Sequence, residues 1–232
     1  MTTIPKTHIV FDFDSTLATT FVGALMFRGY VSEERLDEAR SRYQSDTTTL
    51  REYQEEVFDQ IDESPGRMSE RAAEGASVRS LAREVAERIW HKGGKVAVAS
   101  AGLDVYIRPV LDKVDLQKIE IHSGRIVSSP TELPPFRYDY PSAEKTCEGD
   151  WVTCKCAVIN SLKEAEGDEV IFVGDGSNSD SCAAANAADT VFATGRLLAY
   201  CNENRIPATE FGDDFGPVLS YVVDKMSANG AQ

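Results

Sequence analysis

The chain's pattern predicts an α/β fold, a doubly wound parallel sheet with a small helical insert after its first strand. Three observations carry this expectation. Short apolar runs rich in β-branched residues alternate with helical patterns along the chain. Three of those runs end abruptly in polar residues. Residues 21–80 form a block of helical pattern with almost no strand signal.

The first apolar run is His8-Ile9-Val10-Phe11-Asp12-Phe13, continuous rather than alternating, as expected of a strand buried on both faces. The insert follows. A short hairpin is expected near Val22, then a helix opened by Ser32 as N-cap. A second helix is expected from about Thr49 to Ile61, breaking at Ser64-Pro65-Gly66, and a third from Ser69 to Trp90, ending at Gly93-Gly94. Lys95 to Ser100 reads as the second buried strand, followed by a helix over about 104–114. Ile119 to Val127 alternates around Ser123-Gly124 and predicts a hairpin. Residues 129–142, with four prolines, read as an irregular loop. A helix from Thr153 to Ala165, a third buried strand from Glu169 to Gly174, a short helix around Ala183–Ala185, a strand at Thr190–Ala193 and two helices over about 195–204 and 214–226 complete the chain.

Composition narrows the function classes. With 232 residues, 42% of them hydrophobic, the chain can build a full core. It carries 38 Asp and Glu against 24 Lys and Arg, a net charge of -14, and no basic stripe that would displace counterions from a nucleic acid. No apolar run approaches the roughly 18–20 residues a membrane span needs. The first residues lack the pattern of a signal peptide, so a cytoplasmic protein is expected, with no membrane partner. Five cysteines, an odd number, argue against a disulfide framework.

The chemistry sits at the strand ends. The first buried run ends Asp12-Phe13-Asp14-Ser15-Thr16, the second Ser100-Ala101-Gly102, and the third Gly174-Asp175-Gly176-Ser177-Asn178-Ser179-Asp180. Strand ends of a parallel sheet converge on one crevice, so Asp12, Asp14, Asp175 and Asp180 would crowd together and repel. A hard dication with oxygen ligands, Mg²⁺ above all, resolves that conflict and leaves a face for a phosphate. Asp12 could then act as nucleophile, with Asp14 as acid and base. Ser100 and the Ala101 amide offer donors to phosphoryl oxygens, and a lysine is needed to balance charge.

These four stretches, taken in order, resemble the motifs of the haloacid dehalogenase superfamily, and the second aspartate of the first stretch marks its phosphatase branch. The resemblance spans the whole sheet-forming part of the chain. It implies a core domain of residues 1–20 and 81–232 and a C1-type cap of residues 21–80. It implies Asp12 as nucleophile and Mg²⁺ held by Asp12, the Asp14 carbonyl and Asp175, with Asp180 in support. The spacing of Asp180 from Asp175 leaves Ser179 as a rival in that last role. For the lysine, Lys155 at a helix start is preferred over Lys145 and Lys163.

Within the superfamily, Asp12-Phe-Asp-Ser-Thr and a C1-type cap also resemble phosphoserine phosphatase, but Leu17 to Gly23 lacks the acid that would hold a substrate amine. The stretches Ser100–Ile107, Val191–Cys201 and Ile206–Phe211 are similar to the methionine-salvage phosphatases and to phosphoethanolamine and phosphocholine phosphatases. The expected partner is therefore a small phosphorylated metabolite. A phosphotransferase using the same aspartyl-phosphate is an alternative. Selection of the leaving group is expected from the insert, with Phe21, Phe27, Arg28 and Tyr30 as candidates. With Tyr43 and Tyr53, the aromatics Phe21, Phe27 and Tyr30 form a set that could line the cap, though cap core is the favoured reading for any single one of them. Cys147, Cys154 and Cys156 invite a zinc reading but lack a clear fourth ligand, and incidental thiols are preferred.

Overall fold

The computed structural model describes residues 5–144 and 151–228. Strand β1 (Thr7–Phe11) lies at the centre of a seven-stranded sheet. The other strands are β2 (Val96–Leu103), β3 (Glu120–Ile126), β4 (Tyr138–Asp139), β5 (Glu169–Gly174), β6 (Thr190–Ala193) and β7 (Thr209–Glu210). Their order across the sheet is β4-β3-β2-β1-β5-β6-β7, and all pairs are parallel except β3 with β4. Because β2 and β5 flank β1 on opposite sides, connections leave β1 in two directions. That reversal opens a crevice at the carboxyl ends of these three strands.

Successive residues of β1 face opposite sides of the sheet, as the pleat requires. Ile9 and Phe11 join one apolar core, and Val10 joins the other. The first core continues past the sheet through Phe13, Leu17 and Tyr106 into Met26, Phe27 and Phe58 of the helical block. That block comprises α1 (Val22–Phe27), α2 (Glu33–Gln44), α3 (Leu50–Phe58) and α4 (Pro65–Gly75), all lying between β1 and β2. After it come α5 (Ala82–His91), α6 (Asp104–Asp112), α7 (Lys155–Leu162), α8 (Ser179–Asn186), α9 (Gly195–Asn204) and α10 (Gly216–Ala228). Among the described residues, no helix is long and apolar enough to cross a membrane.

Several local expectations are corrected. Val22 opens a helix rather than a hairpin, because the Asp14 carboxylate accepts from the Val22 and Gly23 amides and so supplies the helix start. The break expected at Ser64-Pro65-Gly66 separates α3 from α4 and is also the start of α4: Ser64 caps it and proline fits the first turn. The stretch from Ser69 to Trp90 is two helices, α4 and α5. Between them, Thr19 and Arg79 donate backbone hydrogen bonds to Ser77 and Leu17, tying this segment to the turn after β1. Ile119 to Val127 is not a hairpin but a single strand, β3, whose only antiparallel neighbour is β4 in the proline-containing stretch.

His8 links the start of the sheet to solution pH. Its Nδ1 accepts from the Lys95 amide at 3.0 Å, so the neutral ring carries its proton on Nε2. Burial holds the imidazole below its ordinary value, against the opposing pull of Asp168. A histidine whose folded pKa lies below its unfolded one contributes stability above about pH 6.5 and loses it as pH falls. Urea midpoints are therefore expected to drop between pH 7.5 and 5.5. His8→Asn keeps an acceptor for Lys95 without a titrating ring, and the drop should shrink in that variant. An unchanged slope would show that His8 is not its source.

Candidate active site

The crevice is built from four chain segments. The first is the turn after β1, residues Phe13–Leu17, in which Ser15 takes a left-handed conformation with φ 61°. Such a conformation costs energy for a non-glycine residue and must be held by its surroundings. Arg79 is the main brace. Its guanidinium donates to the carbonyls of Ser15 and Thr16 at 2.9 and 2.8 Å, and to that of Gly212 at 2.9 Å. It also lies over the rings of Phe211 and Phe215. From the same turn, Thr16 Oγ1 donates to Asp175 Oδ1 at 2.9 Å, tying the first segment to the end of β5.

The second segment is the irregular end of β2. The register against β3 shifts between Ala99 and Leu103, so the chain bulges at Ser100-Ala101-Gly102. Ser100 is buried, and its Oγ accepts from the Gly102 amide at 3.0 Å. Gly102 has no alternative: a Cβ there would stand 1.7 Å from the Tyr106 hydroxyl.

That hydroxyl matters because it donates to Asp14 Oδ2 at 3.1 Å. The other Asp14 oxygen accepts from the amides of Val22 and Gly23 at 2.6 and 3.3 Å. Asp14 is thus anchored from both sides, and burial lifts its pKa to about 6 in spite of those three donors. Asp14 therefore does not share the cluster formed by the other three aspartates.

Asp12, Asp175 and Asp180 each present an oxygen within 4.8 Å of the others. The third segment, α8, supplies Asp180, whose Oδ2 accepts from the Gly176 amide at 2.8 Å. The fourth, α7, begins with Lys155, which is only 3% exposed. Its Nζ reaches Asp12 Oδ1 at 2.5 Å and also bonds Asp180 Oδ1. Burial raises the Asp12 pKa well above normal, and Asp180 and Asp175 add to this while Lys155 opposes it. Burial also raises Asp175, helped by Asp180. Burial alone would lower the Lys155 ammonium, but Asp12 and Asp180 outweigh it and hold it above its usual value.

The charge count is informative. One buried ammonium faces three carboxylates, with Arg196 also in the cavity and acting on Asp175, and the cluster is net negative when all three are ionised. A divalent cation with a preference for oxygen ligands matches both that deficit and the donor set. Among the described residues, these three aspartates are the only His, Cys, Asp or Glu cluster that could hold a metal ion.

Residues 9–185 match the HAD family, the haloacid dehalogenase-like hydrolases. The chain belongs to this family. Curated relatives of the hydrolase include 2-hydroxy-3-keto-5-methylthiopentenyl-1-phosphate phosphatases. That of Bacillus mycoides (strain KBAB4) is 29% identical over 147 residues, covering 63% of this chain and 64% of its own length. That of Bacillus cereus (strain 03BB102) is 24% identical over 201 residues, covering 86% and 89%. Among solved structures, a phospho-aspartyl intermediate analogue of phosphoserine phosphatase superposes with a TM-score of 0.67 at 19% identity, over 94% of this chain and 99% of the other. At that identity the likeness shows a shared fold.

The hydrolase's site opens into a cavity of about 430 Å³. Asp12, Asp14, Ser100, Ala101, Lys155, Asp175 and Asp180 all line it, as does Ser179. Of the four candidate selectors, Phe21 and Phe27 line it, but Arg28 and Tyr30 do not. Arg28 follows the end of α1 at the surface, and Tyr30 lies against the Arg71 guanidinium at 4.7 Å. Of the same aromatic set, Tyr43 and Tyr53 also line the cavity. Lys163 pairs with Asp189 and lies off the cavity. Lys145 and Cys147 fall outside the described residues. Cys154 precedes the first residue of α7, and the Cys156 sulfur lies 3.3 Å from that of Cys182, with no metal cluster around them among the described residues.

Sequence reasoning missed Gln54, Tyr106, Trp151 and Arg196, which also line the cavity. Only Tyr106 had a readable signal, one helical turn after the polar end of β2.

Proposed function

We propose that this hydrolase is a Mg²⁺-dependent phosphatase that cleaves a small phosphomonoester through an aspartyl-phosphate on Asp12. The single observation that carries the reading is the uncompensated charge of Asp12, Asp175 and Asp180 around Lys155, beside a separately anchored Asp14. The family and the phosphatases among its relatives support it. In this reading residues 21–80 act as the cap, and residues 1–20 with 81–232 as the catalytic core.

Asp12, Asp175, Asp180 and the Asp14 carbonyl would hold the Mg²⁺. When bound, the ion supplies charge neutralisation for a phosphoryl group and for the crowded carboxylates. Asp12 attacks phosphorus as the ester P–O bond breaks, and Asp14 gives its proton to the leaving alkoxide. Burial raises the Asp14 pKa, which favours its holding a proton for the leaving group. Water, deprotonated by Asp14, then attacks phosphorus. The aspartyl P–O bond breaks, releasing phosphate and restoring the Asp12 carboxylate. Lys155, the Ser100 hydroxyl and the Ala101 amide donate to phosphoryl oxygens throughout.

The methylthiopentenyl phosphate named for the relatives is one ester that meets these requirements. Phosphoserine is less suited, because no acidic residue of the 21–80 block lines the cavity to pair with its ammonium. The test is phosphate release across a panel of small phosphomonoesters. Release is expected with Mg²⁺, lost on chelation and restored by adding Mg²⁺ back. Failure to release phosphate from every ester would overturn the proposal.

A further inference from the structure

Gln54 of α3 is 8% exposed and lines the cavity. Its Nε2 donates to the Ala101 carbonyl at 2.5 Å. A carbonyl only accepts, so the NH₂ of this amide must face Ala101, and the orientation of the side chain is fixed. The opposite end, Oε1, is buried and meets no donor among the described residues. A buried acceptor without a donor is costly and calls for an explanation. Its surroundings give little help: Phe27, Tyr43, Leu50, Tyr53 and Phe58 line the same part of the insert with rings and one aliphatic chain.

A wall of aromatic rings, with the Tyr53 hydroxyl already bonded to Arg40 and one oriented acceptor left unpartnered, is suited to an uncharged, largely apolar group carrying a hydrogen-bond donor. Through its NH₂, Gln54 is bonded to Ala101, next to Ser100, so this side chain borders the segment assigned to the phosphoryl group. We infer that Gln54 is a specificity-determining residue, whose Oε1 accepts a hydrogen bond from a hydroxyl near the ester carbon of a neutral, mainly apolar leaving alcohol. This rests on the phosphatase reading and gives it a substrate class, a phosphomonoester with a neighbouring hydroxyl. A purely structural role, bracing the bulge at Ala101, is the rival account.

The two accounts differ in a ratio. 1,2-Propanediol 1-phosphate and propyl phosphate are matched in charge and carbon count and differ by one hydroxyl. The wild-type protein with Mg²⁺ is expected to favour the diol ester by about tenfold in kcat/KM, the worth of one well-placed hydrogen bond. In Gln54→Met, which keeps the length but neither polar end, the ratio should collapse to near one, whatever the absolute rates. In Gln54→Glu, which keeps an acceptor but cannot donate to Ala101, both esters should slow while the preference for the diol ester survives. A wild-type ratio near one, or a Gln54→Met variant that slows both esters by the same factor, would overturn the inference and leave the phosphatase reading standing. No release from either ester or from p-nitrophenyl phosphate would overturn the phosphatase reading, and the inference with it.

Discussion

Asp12→Asn is expected to eliminate turnover, with phosphate release falling by roughly 10⁴-fold or more. An amide oxygen is a poor nucleophile, and no other carboxylate replaces it: Asp14 is held away by Val22, Gly23 and Tyr106. Fold stability should move the other way. Asp12 is buried beside two further carboxylates, and burial and those neighbours already disfavour its charge. Asparagine has nearly the same shape and removes one charge from the crowd, while Lys155 keeps Asp180 as partner. The variant should therefore unfold at the same or a higher temperature, the usual trade between a strained site and stability. Near-normal turnover in a folded Asp12→Asn protein would remove the aspartyl-phosphate route.

Asp14→Asn should slow turnover by roughly 10²–10⁴-fold, the range for loss of a general acid–base group. The substitution is unusually clean. The asparagine oxygen can still accept from the Val22 and Gly23 amides, and its NH₂ can donate to the Tyr106 hydroxyl, which both donates and accepts. Anchoring survives and proton transfer does not. With p-nitrophenyl phosphate, whose leaving group needs no proton, a burst of nitrophenolate followed by slow turnover is expected. A proportional slowing with no burst would argue against Asp14 as the base for the second half of the reaction.

The buried strands and the polar residues at their ends were legible because both depend on local pattern. A continuous apolar run buried on two faces looks like nothing else of that length, and aspartate directly after it has few purely structural reasons to be there. Lys155 was legible from its place at a helix start. What failed depended on contacts far apart in the chain. Val22 looked like a strand because nothing near it shows that Asp14 will supply its helix start. Ser123-Gly124 looked like a turn, but Gly124 is small because Leu103, Tyr140 and Val152 crowd it. Gln54 carries no local signal at all; its meaning comes from Ala101, 47 residues further along the chain. Arg28 and Tyr30 were chosen for closeness in sequence to the first polar stretch, and the helix α1 carries them past the cavity.

The brace on the turn after β1 has a consequence for the order in which the protein is made. Chains emerge from the ribosome amino end first and fold by parts as they appear. Asp12, Asp14 and Ser15 emerge well before Arg79, which follows with the end of the insert. Gly212, Phe211 and Phe215, which complete the setting of that guanidinium, come only after every other strand of the sheet. A nascent chain halted before them carries the reactive aspartates on a turn whose outer support does not yet exist. The turn that carries Asp12 and Asp14 is thus made early and fully braced late.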